Sequence, residues 1–588
     1  MHPTTSKRGA YLWPLLIVVL ACLVFLPSLQ GGLVGWDDWI ITDSPRTREF
    51  SAGSIFRAFV PEDGIGSSYQ PLRAISFSLV YALSGSSPAG YLLFNLLLYL
   101  VNVFLFYSFA AHLSGKADGR VHPAAVAAAF LFAVHPVHVE VVSWHQGSKM
   151  ALMGMFYLLS LLGYIRFRSG EGERYYWFCL AAFVASLLTQ PAAVSLPFVL
   201  VAYELTFRPA AKREHHSGGM AAVFRLAPFF LPAAALAFHL LFISTVRLGA
   251  GSGGDAPLLS RLAVVPVVWG KSLLKLALPV NLCARYPLDI LSEPQIGRML
   301  AWTIICAAAV WGAIKLAPTR RAGLFALLFF AVTILPTSGL VETSTLLADR
   351  YLYLPGMAVF LAAGWGIQRL TEASCAKSTL PHPGVPGAAV LLLALTVAGL
   401  AATAVKRQGD WSSGVSLWSR VVDVYPGHSL GHFNLAGAWN ARGNSDQAFE
   451  HYRRALEIDP GYGDAYANLS TLVLNQGRTG LARQLIEKAA ELRPDRAEVW
   501  IKHGIVMAST GEDSTAEASF LRAIGMGTEW LWAGHFNLGM LYAGQGDSGR
   551  AREHMRQALE LATAAGKPLE VRESIRGALD NLEPPDDR

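Results

Sequence analysis

From residue 11 to about 404 the chain is a series of apolar runs with its charges confined to the short stretches between them. Runs of this length and purity predict helices that cross a bilayer. The spans expected are 11–29, 88–111, 123–137, 149–167, 175–189, 191–205, 220–246, 299–316, 322–338, 351–370 and 385–405. Several are shorter than the roughly 20 residues of a straight crossing, most clearly where two short runs meet at Gln190-Pro191. One further run, 262–278, is apolar but carries Lys271 and Lys275, and is read as an interfacial or re-entrant segment. From about residue 427 the pattern changes to amphipathic helical periodicity in a charge-rich background.

This second part repeats. Pro426, Pro460 and Pro494 stand 34 apart, as do Gly443, Gly477 and Gly511, the alanines Ala448, Ala482 and Ala516, and the alanines Ala455, Ala489 and Ala523. A 34-residue period with small residues at fixed places is that of tetratricopeptide helical hairpins. A fourth unit carries Gly546, Ala551 and Ala558 with the phase moved by one residue, and 568–582 reads as a capping helix. The fold expected is all-α: a polytopic helical membrane bundle of about eleven spans over 1–405, a linker at 406–426, and a solenoid of about four repeats over 427–588. Such repeats bind protein or peptide, or serve as spacers or oligomerisation modules, so alone they name no function.

Charge orients the bundle. Lys7 and Arg8 precede the first span, which has no small-residue cleavage pattern after it and reads as an uncleaved signal anchor. Loops holding Lys116 and Arg120, then Arg166, Arg168 and Arg174, then Arg208, Lys212 and Arg213, then Lys315, Arg320 and Arg321, then Arg369 and Lys377, alternate with loops poorer in Lys and Arg. By the positive-inside rule these loops and the N-terminus are cytoplasmic, and the loops near Trp36, Ser143 and Val341, with the repeats, lie outside. Only 15% of residues are charged and the mean hydropathy is +0.37. The pI of about 9.0 reflects the cytoplasmic loops rather than nucleic-acid binding, since no basic patch is interleaved with aromatics. The five cysteines have no metal-type spacing, and no Walker or Rossmann glycine pattern is present. A membrane enzyme without these must take its activated substrate from the lipid phase.

The candidate chemistry lies in the outer loops. Gly35-Trp36-Asp37-Asp38-Trp39 places two adjacent carboxylates between indoles at interface depth. They form either a solvated turn in a tryptophan belt or a general base with a neighbour that raises its pKa and orients an acceptor hydroxyl. In His135-Pro136-Val137-His138-Val139-Glu140 the spacing does not put His135, His138 and Glu140 on one helical face, so a metal site is disfavoured, although a divalent cation stays open as cofactor. Glu140 and Lys149 suit a polar cavity at membrane depth. In Asp349-Arg350-Tyr351, Arg350 is either a bidentate phosphate fork or half of an interfacial ion pair. Arg73 and Arg285 are further cations on the same side.

Taken in order, these residues resemble the tetratricopeptide-containing membrane glycosyltransferases of the GT-C superfamily, in particular bacterial relatives of the transmembrane-and-tetratricopeptide protein O-mannosyltransferases. The resemblance runs through Asp37-Asp38, Tyr69-Gln70-Pro71-Leu72, Asn95, Asn102, the stretch from His135 to Trp144, and Lys149. It continues through Gln190-Pro191, Leu196-Pro197-Phe198, Leu278-Pro279, Tyr286-Pro287, the stretch from Asp349 to Pro355, Trp411 and Trp418. It departs where Gly147-Ser148-Lys149-Met150 lacks an acidic member, and where Gln190 stands in place of a lysine. The resemblance implies inverting transfer of a sugar from a polyprenyl phosphate to a hydroxyl of an extracytoplasmic protein or peptide acceptor. Asp37 or Asp38 is then the base, and Arg350 and Lys149 contact the donor phosphate. Transfer to a lipid or polysaccharide, and a non-catalytic scaffold, are the alternatives.

Overall fold

The structure, a computed structural model, describes residues 7–38, 44, 47–60, 69–114, 122–207, 224–247, 258–287, 296–317, 319–340, 345–377 and 384–582. Trp39, Lys116, Arg120, Arg208, Lys212, Arg213 and the Val341 loop lie outside these residues. Every element described is helical. The chain divides into two compact units, Met1–Val34 with Glu49–Ser413, and Gly35–Arg48 with Gly414–Arg588.

The first unit begins with α1 (Lys7–Phe25), α2 (Ala52–Ala58), α3 (Pro71–Ser84), α4 (Pro88–Ser114) and α5 (Pro123–Val134). The short α6 (Val139–Ser143) follows a single 3-10 turn, and then come α7 (Ser148–Arg168), α8 (Arg174–Leu187), α9 (Leu196–Phe207) and α10 (Ala227–Arg247). It closes with α11 (Leu258–Ala277), α12 (Ile296–Leu316), α13 (Arg320–Ile334), α14 (Tyr353–Lys377) and α15 (Gly384–Gln408). Helix α4 is the hub, packing on α1, α5 and α7, while α5 also packs on α14. Val390, Leu391, Leu392 and Leu395 of α15 are all exposed, as on a helix clothed by lipid.

Among the described residues five helical segments are long and apolar enough to cross a membrane: Leu12–Gln30, Pro88–Ser114, His145–Arg168, Arg320–Thr337 and Ala388–Trp411. A bent pair, Pro123–Val134 with Pro136–Ser143, makes a sixth if it is one broken span. Pro191–Phe207, Ala227–His239 and Met299–Lys315 are apolar but shorter. The expected count of about eleven is therefore not reached by length and composition alone. The lysine-bearing run at 262–278 folds into α11 except for Leu278, and does not qualify as a span.

The second unit begins with α16 (Gly414–Val424) and then forms four antiparallel hairpins. These are α17 (Ser429–Ala441) with α18 (Ser445–Ile458), α19 (Gly463–Asn475) with α20 (Thr479–Leu492), α21 (Ala497–Ser509) with α22 (Asp513–Gly525), and α23 (Leu531–Gly544) with α24 (Ser548–Ala564). Helix α25 (Leu569–Asp580) caps the stack, packing on α24. The turn glycines Gly443, Gly477, Gly511 and Gly546 have φ of 76°, 75°, 82° and 78°, the left-handed conformation that closes a helix without a Cβ penalty. Ala448, Ala482, Ala516 and Ala551 are wholly buried where paired helices meet; added methylenes there would overpack the contact at about 1–3 kcal/mol. The residue that shifts the fourth repeat is taken up between α22 and α23, where Gly527 turns at φ 62°.

Candidate functional site

The site of the first unit is built around a break in a helix. Pro136 has no N–H, so the carbonyl of Phe132, four residues earlier, loses its helical donor. Two side chains replace it: the Tyr99 hydroxyl donates at 2.8 Å and His138 Nδ1 at 2.9 Å. Because a carbonyl only accepts, His138 carries a proton on Nδ1. His135 accepts the Val137 N–H on Nδ1 at 3.2 Å and donates from Nε2 to the Leu276 carbonyl at 3.1 Å. Both imidazoles are buried; His135 bonds to backbone, and His138 Nδ1 also lies 3.0 Å from the Tyr99 hydroxyl. The chain bends by 48° at this point, with α6 turned aside to carry Glu140.

Two asparagines of α4 hold the segment beyond the break. Asn95 Nδ2 donates to the Trp144 carbonyl at 2.7 Å and to that of Val142 at 3.3 Å, and Asn102 Nδ2 donates to the Ala151 carbonyl at 2.7 Å. A Cβ at Gly147 would collide with the Val141 carbonyl, so only glycine fits the return into α7.

On this frame sit two buried ion pairs. Glu140, with no exposed surface, accepts from the Arg350 guanidinium and from the Arg350 backbone N–H at 3.1 Å. Asp349, equally buried, pairs with Arg407 and accepts from the Tyr286 hydroxyl at 2.7 Å. Tyr286 in turn accepts the Cys283 N–H at 3.1 Å. Burial and the adjacent Asp349 carboxylate hold the Tyr286 phenol well above its usual range, so it remains a donor. Aromatic rings surround the cations. The Arg350 guanidinium lies 5.4 Å from the Trp144 ring centre and 4.8 Å from that of Tyr351, and Lys149 Nζ lies 4.7 Å from Trp144. Trp144 packs on Trp411 with centroids 6.0 Å apart, and Lys275 Nζ stands 3.8 Å from the centre of the Tyr286 ring.

Of the residues singled out from sequence, Glu140, Lys149, Asp349, Arg350 and Tyr351 come together here, with His135 and His138 in the break itself. Arg73 lies on α3, 5.9 Å from the Phe77 ring centre. Arg285 follows Cys283, whose thiol donates to the Arg285 carbonyl. The motif residues Gln70 and Gln190 bond to each other, Nε2 to Oε1, at 2.6 Å. Asp37 and Asp38 cluster with the second unit. There Asp37 has φ 57°, Asp38 Oδ2 accepts the Gly35 N–H at 2.6 Å, and Trp36 packs on Trp418 at 5.6 Å. Among the described residues no three His, Cys, Asp or Glu side chains form a group that could hold a metal ion. Sequence reasoning missed Arg407, and it named Tyr286 and Lys275 without assigning either to the site. A basic residue ending the last apolar run reads as a water-facing anchor, and the signal against it, the buried Asp349, lies 58 residues away.

Tetratricopeptide-repeat family models match residues 408–503 and 532–564. The chain is 29% identical over 445 residues to the protein O-mannosyl-transferase TMTC4 of Mus musculus, covering 66% of this chain and 57% of that one. It is 25% identical to the protein O-mannosyl-transferase F38B6.6 of Caenorhabditis elegans, covering 75% and 62%. It is also 25% identical to the protein O-mannosyl-transferase TMTC1 of Homo sapiens, covering 77% and 56%. The chain thus spans less than two thirds of the length of each of these relatives. Among solved structures it is similar to TTC0263, a thermophilic tetratricopeptide protein of Thermus thermophilus, with TM-score 0.26 and 24% identity over 32% of this chain and 94% of that one.

Proposed function

We propose that this chain, a tetratricopeptide-containing relative of the protein O-mannosyl-transferases, is a membrane glycosyltransferase that moves a sugar from a polyprenyl-phosphate donor to a hydroxyl of an extracytoplasmic protein. The observation that carries the reading is the pair of buried ion pairs, Glu140 with Arg350 and Asp349 with Arg407, set among aromatic rings at a broken apolar helix. Ionisable groups kept at such depth are costly and signal function rather than stability. The departing lipid phosphate needs its charge neutralised rather than protonated, and a fixed set of cations does this without reorganising.

In this reading Asp37 or Asp38 takes the proton of the acceptor hydroxyl, Arg350 and Lys149 contact the donor phosphate, and the repeats select the acceptor. Arg350 has one guanidinium edge engaged by Glu140, which fixes the orientation of the remaining N–H groups. The chain crosses the inner membrane of a bacterium about eleven times, with the shorter apolar helices counted as tilted or broken spans, and the repeats face the periplasm. The test is mass spectrometry of exported proteins from cells with and without the chain. Hexose on Ser or Thr that disappears with the chain supports the reading, and an unchanged glycan profile counts against it.

A further inference from the structure

Helix α11 ends beside the ion pairs, and three contacts fix how. The Leu276 carbonyl accepts from His135 Nε2, which ties the end of the helix to the break before α6. Lys275, the residue before, is half-buried and places its ammonium over the Tyr286 ring. Tyr286 is itself anchored, through its hydroxyl, to Asp349. Glu140 is taken by Arg350 and Asp349 by Arg407, and among the described residues no carboxylate forms an ion pair with Lys275. Asp410 adds a third carboxylate, 3.9 Å from Arg407, so of Arg350, Arg407 and Lys275 it is the lysine that lacks a carboxylate in ion-pair range.

A half-buried cation without a direct counter-ion is stabilised when an anion joins it. A compact ammonium on a flexible stem suits one phosphate oxygen, where the paired arginines are held in place by their carboxylates. We propose that Lys275 is an anion ligand that binds a phosphate oxygen of a lipid-carried sugar donor, a step that rests on the function proposed above. His135 is then a positioning residue, since its bond to Leu276 sets where Lys275 stands. The lysines that make 262–278 ambiguous as a span are accounted for in part: one of them faces the site.

The experiment uses the purified full chain in lipid nanodiscs and two probes, a short-chain polyprenyl phosphate and inorganic phosphate. Affinities are compared for the parent, Lys275→Met, Lys275→Arg and Lys271→Met. Loss of one charge-assisted contact should weaken polyprenyl-phosphate binding about 10- to 100-fold in Lys275→Met, with recovery in Lys275→Arg and no change in Lys271→Met. Lys275→Gln replaces Lys275→Met if that variant does not fold. Equal affinities in parent and Lys275→Met, or no binding of either probe to the parent, overturn the assignment. If the parent and Lys275→Met both bind and use the lipid donor alike, the lysine assignment fails while the proposed function stands. Lysine-dependent binding of inorganic phosphate without binding of the lipid phosphate keeps the anion site and removes the lipid donor.

Discussion

Glu140 accepts from the Arg350 guanidinium and from its backbone N–H, across 210 residues of sequence. Removing one partner of such a pair leaves a buried charge uncompensated, which costs about 3–5 kcal/mol, whereas removing both exchanges an ion pair for packing at little cost. Glu140→Gln and Arg350→Met should therefore each lower the unfolding midpoint of the solubilised chain sharply, and the double variant should recover much of the loss. Additive losses would mean the two residues are not coupled. Sequence pointed to Glu140, Asp349 and Arg350 as individuals because ionisable groups beside apolar runs stand out. It could not pair them, since no local spacing links positions this far apart, and it offered two readings of Arg350, phosphate fork or ion pair. The ion pair is the contact observed, though with Glu140 rather than with the neighbouring Asp349.

At the scale of elements, period and punctuation were legible and compensation was not. The 34-residue recurrence of Pro, Gly and Ala predicts the hairpins because each position answers a local steric need: turn, close approach or helix stop. Pro136 is equally visible, but Tyr99 and His138, which rescue the carbonyl that it orphans, are known only from the fold. Pro136→Ala restores an N–H to Phe132 and should straighten the α5–α6 break. We expect a more helical, no less stable protein that has lost most of its transfer activity through displacement of Glu140, measured by circular dichroism and by turnover. Unimpaired turnover would show that the bend is incidental.

The repeats carry a second prediction at this scale. His432 and His451 join Nδ1 to Nδ1 at 3.1 Å, as do His535 and His554 at 3.0 Å. Burial, reinforced for His451 and His535 by the neighbouring ring's charge, holds all four imidazoles below their usual range. Below the unfolded value of about 6.5 the unfolded state binds more protons than the folded one, so stability falls as the pH drops. Limited proteolysis of the repeats in the full chain should show protection lost progressively between about pH 7 and pH 5. His432→Gln with His535→Gln should flatten that dependence. A profile unchanged by these substitutions would place the sensitivity elsewhere.

For the whole molecule, hydropathy separated membrane bundle from repeats because the two parts bury apolar surface against different solvents. It did not fix the number of crossings, because short, bent and proline-broken helices lie near the length at which composition alone decides. The alternation of basic loops predicts that a reporter active only after export works when fused after Val405 or within the repeats. Activity of a cytoplasmic reporter at either junction would invert the topology of the C-terminal part.

The central claim is that this chain performs sugar transfer with an acidic residue as base. The most direct measurement is the turnover of the purified chain, reconstituted in vesicles, with a mannose carried on polyprenyl phosphate and a hydroxyl-bearing peptide acceptor. Asp37→Asn and Asp38→Asn test it cleanly, since asparagine tolerates the left-handed φ of Asp37 and can still accept the Gly35 N–H bound by Asp38, while the proton acceptor is gone. The account predicts transfer by the parent and, in at least one variant with an unchanged unfolding midpoint, a loss of about 10²–10⁴ in rate. Parental rates in both variants and in the double variant would contradict it.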